Sequence, residues 1–170
     1  MIHECHIIPE KQHHLAILMI LELLNDEGFN YDDLNLWLTS NQAILIGAYV
    51  NKELVGSLMF CYYKNISYIQ TLCVKSYYRK RGIGKSLVNN SVIIRPEVPL
   101  IAKVSNNNNT AKNIFDSCNF QICKSDEIPH ELSDPPNSTH LFYKFKKLDS
   151  YWNLYTDSCY LNDRIRALYL

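Results

Sequence analysis

The sequence has no surplus of charge of either sign. Its 170 residues carry 17 Lys and Arg against 17 Asp and Glu. That balance argues against a general nucleic-acid binder, because neutralising phosphates takes an excess of cations. Long hydrophobic runs are missing as well. The apolar stretch Leu15 to Leu21 falls short of the ~20 residues that cross a bilayer, and no basic segment of a secretory signal opens the chain. None of the six cysteines (Cys5, Cys61, Cys73, Cys118, Cys123, Cys159) forms a C-x-x-C pair. Four of them lie in strongly apolar stretches, where a free thiol behaves as a small hydrophobe. No internal repeat or domain linker interrupts the chain. These absences predict one reduced, soluble, cytoplasmic protein with no membrane association and no metal.

Apolar residues make up 47% of the chain, enough for a packed core. Charge, though balanced, is unevenly placed. Residues 1–33 hold seven acids (Glu4, Glu10, Glu22, Asp26, Glu27, Asp32, Asp33) against Lys11. Residues 34–85 hold seven bases (Lys52, Lys64, Lys75, Arg79, Lys80, Arg81, Lys85) against Glu53. Two readings of this stay open: solvated faces, or one region suited to a cation and another to an anion.

Residues 2–8 read as a strand. Pro9 suits a helix start, residues 10–26 read as a helix packing through Leu15, Ile17, Leu18, Leu21 and Leu24, and Gly28 ends it. A short helix is expected at 31–39. The stretches QAILIGAYV, LVGSLMFCYY and SYIQTLCV are rich in β-branched and aromatic residues and read as a three-strand meander. Residues 84–94 read as a helix and 99–105 as a strand. A helix at 109–118 and strands near 120–124 and 140–147 follow, the last two joined by the Pro- and Ser-rich loop 125–139. The order βααβββαβαββ predicts an α/β (α+β) domain over residues 1–147 with a mixed, mostly antiparallel sheet. Residues 148–170 form a Tyr- and Leu-rich tail with helical spacing, expected to pack on the domain or on a second copy as a homodimer contact.

The chemistry is expected between Leu72 and Leu87. A strand ends near Val74, a turn carries Arg79, Lys80, Arg81, Gly82, Ile83 and Gly84, and a helix begins through Lys85 and Ser86. First-turn N–H groups of a helix lack intrahelical partners and favour an anion. The two glycines allow close backbone approach and positive φ, and the bases add positive charge. Gly84-Lys85-Ser86 ends like a P-loop, but Arg79 stands where that motif needs its first glycine. A dinucleotide fingerprint fails too, having only Gly82 and Gly84.

The string Arg79-x-x-Gly82-x-Gly84, preceded by Leu72-x-Val74, resembles the acetyl-CoA motif of the GNAT acetyltransferases. Asn108-x-x-Ala111, then Phe115 and Cys118-Asn119-Phe120, resembles the family's second block. The order of elements is similar from residue 2 to residue 147. The resemblance implies acetyl-CoA as donor and a primary amine as acceptor, and the uneven charge leaves a cationic acceptor open. It implies that the backbone of Leu72, Cys73 and Val74 pairs with the pantetheine, and that the N–H groups from Arg81 to Ser86 hold the pyrophosphate. The N–H near Leu72 would polarise the thioester, Asn108 would bond the pantetheine, and Phe115 would pack beside the thiol. Phe115 stands where the family often has an acidic tyrosine, and Cys118 is taken to replace its glycine. Gln70-Thr71 and Lys103 stand where many members have glutamate, so the base is unassigned: water held by Gln70 or Tyr68, or an acid within 22–33. Hence a second expectation, a catalytically weak acyl-CoA-binding regulator. His13 and His14 read as surface residues.

Overall fold

The computed structural model describes residues 2–25, 28–63, 66–124 and 140–145, so the loop 125–139 and the tail 148–170 lie outside the described residues. The element order agrees with the sequence reading. A first strand β1 (Glu4–Ile7) leads through a 3-10 turn (Glu10–Gln12) into helix α1 (His13–Leu23), followed by α2 (Tyr31–Thr39). The meander is β2 (Ala43–Val50), β3 (Glu53–Tyr63) and β4 (Ile66–Val74). Next come α3 (Ile83–Val92), β5 (Leu100–Ser105), α4 (Asn109–Ser117), β6 (Phe120–Ile122) and β7 (His140–Phe145).

Two helix ends differ from expectation. The regular helix starts at His13 because Pro9 caps a 3-10 turn rather than α1 itself. It stops at Leu23, with Leu24 already off helical geometry (φ −124°), while Gly28 (φ +76°) redirects the chain toward α2. Asn30 caps α2, its side chain accepting from the Asp33 N–H. The β2–β3 turn places both Asn51 and Lys52 at positive φ, as a two-residue hairpin with right-handed strand twist requires.

The strands form one sheet in the order β1-β2-β3-β4-β5-β7-β6. All its pairings are antiparallel except β4 with β5. Both faces are covered, which is why β2 and β3 read as continuous apolar runs rather than alternating ones. On one face, α3 and α4 bury Ile83, Leu87, Val88 and Phe115 against Ile46, Leu58, Phe60 and Val104. On the other, α1 and α2 bury Ala16, Ile17, Ile20, Leu34 and Leu38 against Leu45, Met59 and Cys61. Each fully buried Ile or Leu contributes about 1.5–3 kcal/mol of transfer free energy, so the two layers clamp the sheet between them. No helix among the described residues is long and apolar enough to cross a membrane.

One irregularity in the sheet creates the site. Met59 pairs with Thr71 but Phe60 pairs with Ile69, so Gln70 is an extra residue on β4. A one-residue insertion inverts the strand's alternation. Before it, Ile69 faces the α3–α4 layer and Tyr68 the α1–α2 layer; after it, Leu72 and Val74 face α3–α4 and Cys73 faces α1–α2. Bulges also bend and over-twist a strand. The β4–β5 ladder holds only at Ser67–Leu100, Tyr68–Ile101 and Ile69–Ala102, ending where the bulge begins. Beyond it, Gln70–Val74 and Lys103–Ser105 diverge unpaired with one another.

Candidate active site

The divergence opens a cleft of about 1110 Å³ through the sheet. That is slightly above the ~300–1,000 Å³ usual for one small ligand. Its floor is β4 from Tyr68 to Val74. One wall is Lys103, Val104 and Ser105 of β5 with the start of α4, and one end is the turn Tyr78–Gly84. Leu23, Leu24 and Phe29 close the end under α1 and α2.

The turn end is built to take an anion. Gly82 is the N-cap of α3 in a left-handed conformation (φ +80°), and it has no side chain with which to cap the helix. The first intrahelical bond is Ser86 N–H to Gly82 C=O at 2.9 Å, which leaves the N–H groups of Ile83, Gly84 and Lys85 without helical partners. Arg79 and Lys80 line the same end. Arg79 Nε also donates to the Val74 carbonyl at 2.9 Å, tying the turn back to the strand. Glu53 fastens it from β3: one carboxylate oxygen accepts from Lys75 Nζ at 2.8 Å and the other from the Tyr78 hydroxyl at 2.9 Å. Those two bonds hold the Glu53 carboxyl below its ordinary pKa, the Lys75 bond being the larger cause.

Leu72, Cys73, Val74, Arg79, Lys80, Gly82, Ile83, Gly84, Asn108, Phe115 and Gln70 all lie on this cleft. Arg81, Lys85 and Ser86 are not among its lining residues. Arg81 instead stacks over the Tyr77 ring, 4.9 Å from its centroid, and the Ser86 hydroxyl accepts from the Cys5 thiol at 3.5 Å. Gly82 and Gly84, grouped together by the motif, have different reasons to be glycine. Gly82 needs its positive φ, whereas Gly84 is buried and a Cβ there would lie 3.0 Å from Ile114 Cδ1 of α4.

Three further side chains have clear structural work. Asn108 caps α4, its side-chain oxygen accepting from the Ala111 N–H at 3.0 Å, a cap typically worth ~1 kcal/mol. Phe115 is buried, its ring 5.0 Å from that of Phe120 and 5.8 Å from that of Tyr143. The Cys73 thiol lies on the cleft, but burial pushes it up to about 12 against weaker opposing effects of Ser57 and Arg79, so it is no nucleophile at neutral pH. The turn after α4 corrects the sequence reading: Asn119, not Cys118, takes the left-handed conformation (φ +62°) that suits a glycine. Asn tolerates it better than most residues. Cys118 is a buried side chain whose thiol points at the Lys85 carbonyl, 3.8 Å away.

The charged side chains lining the cleft, Arg79, Lys80 and Lys103, are all cations. No carboxylate or imidazole lines it among the described residues; of the acids in 22–33, Glu22, Asp32 and Asp33 are exposed and outside the lining, and Asp26 and Glu27 lie outside the described residues. Among the described residues no group of three or more His, Cys, Asp or Glu could hold a metal ion. Sequence reasoning missed Leu23, Leu24, Phe29 and Ile114, which carry no chemical mark; only the fold brings them to the cleft.

The sheet thus has one parallel seam, splayed beside a glycine-bearing helix start. Residues 41–122 match the profile of the acetyltransferase (GNAT) domain family. A search of curated proteins finds no significant match. Solved structures with the same fold include a GNAT-family acetyltransferase from Staphylococcus aureus Mu50, at TM-score 0.68 and 18% identity over 85% of this chain and 98% of that one. A Bacillus subtilis acetyltransferase in complex with CoA aligns at TM-score 0.66 and 14% identity over 86% and 100%. Arabidopsis thaliana Naa50 in complex with the bisubstrate analogue CoA-Ac-MVNAL aligns at TM-score 0.62 and 19% identity over 85% and 99%.

Proposed function

We propose that the protein transfers an acetyl group from acetyl-CoA to a primary amine by direct attack within a ternary complex. The observation that carries this reading is the β4–β5 splay, which joins an anion-binding helix start to an unpaired strand edge in one cleft. The residues present fit the donor. The N–H groups of Ile83, Gly84 and Lys85, with Arg79 and Lys80, suit a pyrophosphate. The edge of β4 from Leu72 to Val74, unpaired by β5 though Arg79 Nε donates to the Val74 carbonyl, suits an extended amide-bearing arm, by the same pairing that adds a strand to a sheet. Acetyl-CoA, when bound, supplies the thioester. A backbone N–H near Leu72 would stabilise charge on its carbonyl oxygen. The chain's main contribution is to hold the two reactants in line. Calorimetry with CoA, followed by an assay of thiol release from acetyl-CoA over an acceptor panel, tests the reading; a folded protein that binds no CoA would sink it.

The amine must lose its proton as the C–N bond forms and the C–S bond breaks. Gln70 and Tyr68 on the lining could hold a water that takes that proton, and an acid of 22–33 outside the described residues, Asp26 or Glu27, is the alternative. With the water, the rising limb of kcat/KM against pH is expected to follow the acceptor's own amine: near pH 8 for an α-amine, and above 10 for a lysine-type amine, whose pKa is ~10.4. A limb fixed near pH 6–7 for every acceptor would reveal an enzymic base instead. The departing thiolate needs little help, since a free thiol has a pKa of ~8.5. Phe115→Tyr should therefore leave kcat equal or higher. A large loss of kcat in a variant that still binds CoA would show that the ring's packing on Phe120 and Tyr143 governs the step.

The same bare lining favours a second reading, a protein that binds acyl-CoA and transfers slowly or not at all. CoA binding by calorimetry without thiol release from any acceptor would select it. For residues 148–170 we propose packing on the domain or, as the second reading, a homodimer contact. In the first case truncation after Lys147 should lower stability without changing mass in solution; in the second it should leave a folded monomer that still binds CoA. Light scattering that finds the full chain monomeric at high concentration would exclude the contact.

A further inference from the structure

We propose that the Thr71 hydroxyl binds the acceptor amine, accepting one of its N–H groups and so aiming its lone pair at the thioester; this rests on the acetyltransferase reading above. Thr71 is 3% exposed and lines the cleft, and its Oγ1 has no hydrogen-bond partner among the described residues. An orphaned buried hydroxyl lowers stability, and valine has the same shape without that cost. A polar atom so placed on the wall of a cleft points to a partner from outside the chain. Ser57 and Ser67 are orphaned too, but neither lines the cleft, so of the three only Thr71 stands where a ligand comes.

The strand geometry says which reactant that partner is. Thr71 is the first residue after the bulge at Gln70, and it pairs with Met59, which packs in the α1–α2 layer. Residues opposite one another on antiparallel strands share a face, and so do residues two apart, so Thr71 faces the α1–α2 side with Cys73. Without the extra residue it would share the α3–α4 side with Ile69. Leu23, Leu24 and Phe29 line the cleft on the α1–α2 side. The groups suited to the donor lie across the sheet: the N–H groups of Ile83, Gly84 and Lys85 at the start of α3, and Asn108 and Phe115 on α4. β5 leaves the ladder after Ile69–Ala102, so no strand stands between Thr71 and the cleft. The hydroxyl turns toward it by a rotamer step about Cα–Cβ that leaves the strand in place. As the C–N bond forms and the C–S bond breaks, one N–H proton of the amine leaves to the base and the other stays on the product amide. Thr71 Oγ1 accepts the N–H that stays, so a primary amine holds the contact throughout, whereas a secondary amine has only the proton it must lose. The hydroxyl moves no proton itself; its effect is on orientation.

The test follows thiol release from acetyl-CoA by the full chain, with phenethylamine, spermidine and a short peptide with an N-terminal leucine as acceptors, and continues with the one that reacts fastest. Thr71→Val should lower kcat/KM for that amine by about tenfold or more, while the KM for acetyl-CoA and the Kd for CoA change by less than about twofold. Thr71→Ser keeps the hydroxyl and should return kcat/KM to within about threefold of wild type. Thr71→Val should also raise Tm by about 2–4 °C, because it removes an orphaned hydroxyl, whereas a purely structural role would lower Tm and activity together. Thr71→Ala takes its place in the kinetics should Thr71→Val fold poorly. Wild-type kcat/KM for the amine in the folded variant overturns the proposal and leaves the acetyltransferase reading in place. A Tm several degrees lower overturns it too, since the chain itself would then supply the partner. Bound CoA with no thiol release by wild type from any of the three amines, or failure to bind CoA, overturns both.

Discussion

Gly82→Val should reduce CoA affinity by roughly thirtyfold or more, the largest effect expected of any single substitution in the turn. Nothing lies within 4 Å of where its Cβ would be, so crowding inside the protein is not the cause. The cause is the backbone: Gly82 sits at φ +80° as the residue from which α3 departs. A β-branched side chain there costs about 2 kcal/mol, which is about a thirtyfold change if the turn keeps its shape only when CoA is bound. Relaxing the strain would re-aim the N–H groups of Ile83, Gly84 and Lys85, which are proposed to hold the anion. Two companions separate backbone from bulk. Gly82→Ala should also lose affinity, having the strain with little volume, whereas Gly82→Asn should retain more, because Asn tolerates left-handed geometry. Lys80→Ala should do less than either, since backbone groups supply most of the contact, and binding should weaken as salt is raised. Calorimetry on variants shown to be folded by circular dichroism measures all of these. Wild-type affinity in Gly82→Ala would falsify the backbone account.

The turn was legible before the structure because its chemistry is local. A strand, a basic segment with two glycines and a helix follow one another within some fifteen residues, and the physics of an uncapped helix start needs nothing further away. The meander was legible for the same reason, its strands marked by β-branched and aromatic runs and divided by polar pairs. The bulge at Gln70 was not. It exists only as a mismatch between β4 and β3, Met59 with Thr71 but Phe60 with Ile69, and no residue type in SYIQTLCV announces it. Yet the bulge decides which side chains face which layer, and it sits where β4 leaves β5. The cleft was therefore foreseen through its motif but not as a shape, and the wall of Leu23, Leu24 and Phe29 could not be named. Residues chosen by charge fared unevenly: Arg79 and Lys80 lie on the cleft, while Arg81 finds the rings of Tyr77 and Tyr78. A sequence fixes how many cations a turn carries, but not which of them an exposed aromatic pair will hold.

Gly84→Val is expected to disrupt the site by a different route. Gly84 is where α3 meets α4, and a Cβ there would be 3.0 Å from Ile114 Cδ1 and 4.0 Å from Val74 Cγ2. The nearer atom is the free end of a flexible side chain, so a single methyl is absorbed by a small shift of Ile114. Gly84→Ala should accordingly be neutral or slightly stabilising, since alanine gains up to ~1 kcal/mol over glycine inside a helix. Valine adds two more methyl groups toward Ile114 and Val74, and overpacking of that kind costs about 1–3 kcal/mol. Relief would come from moving α3 away from α4, and both helices border the cleft, so Tm and CoA affinity should fall together. Adding Ile114→Ala to Gly84→Val returns volume to the contact. The pair should therefore be non-additive, with the double variant recovering both Tm and affinity relative to Gly84→Val alone. A double variant that recovers Tm but still fails to bind CoA would show instead that Gly84 is needed for direct approach to the ligand, as the motif alone suggested.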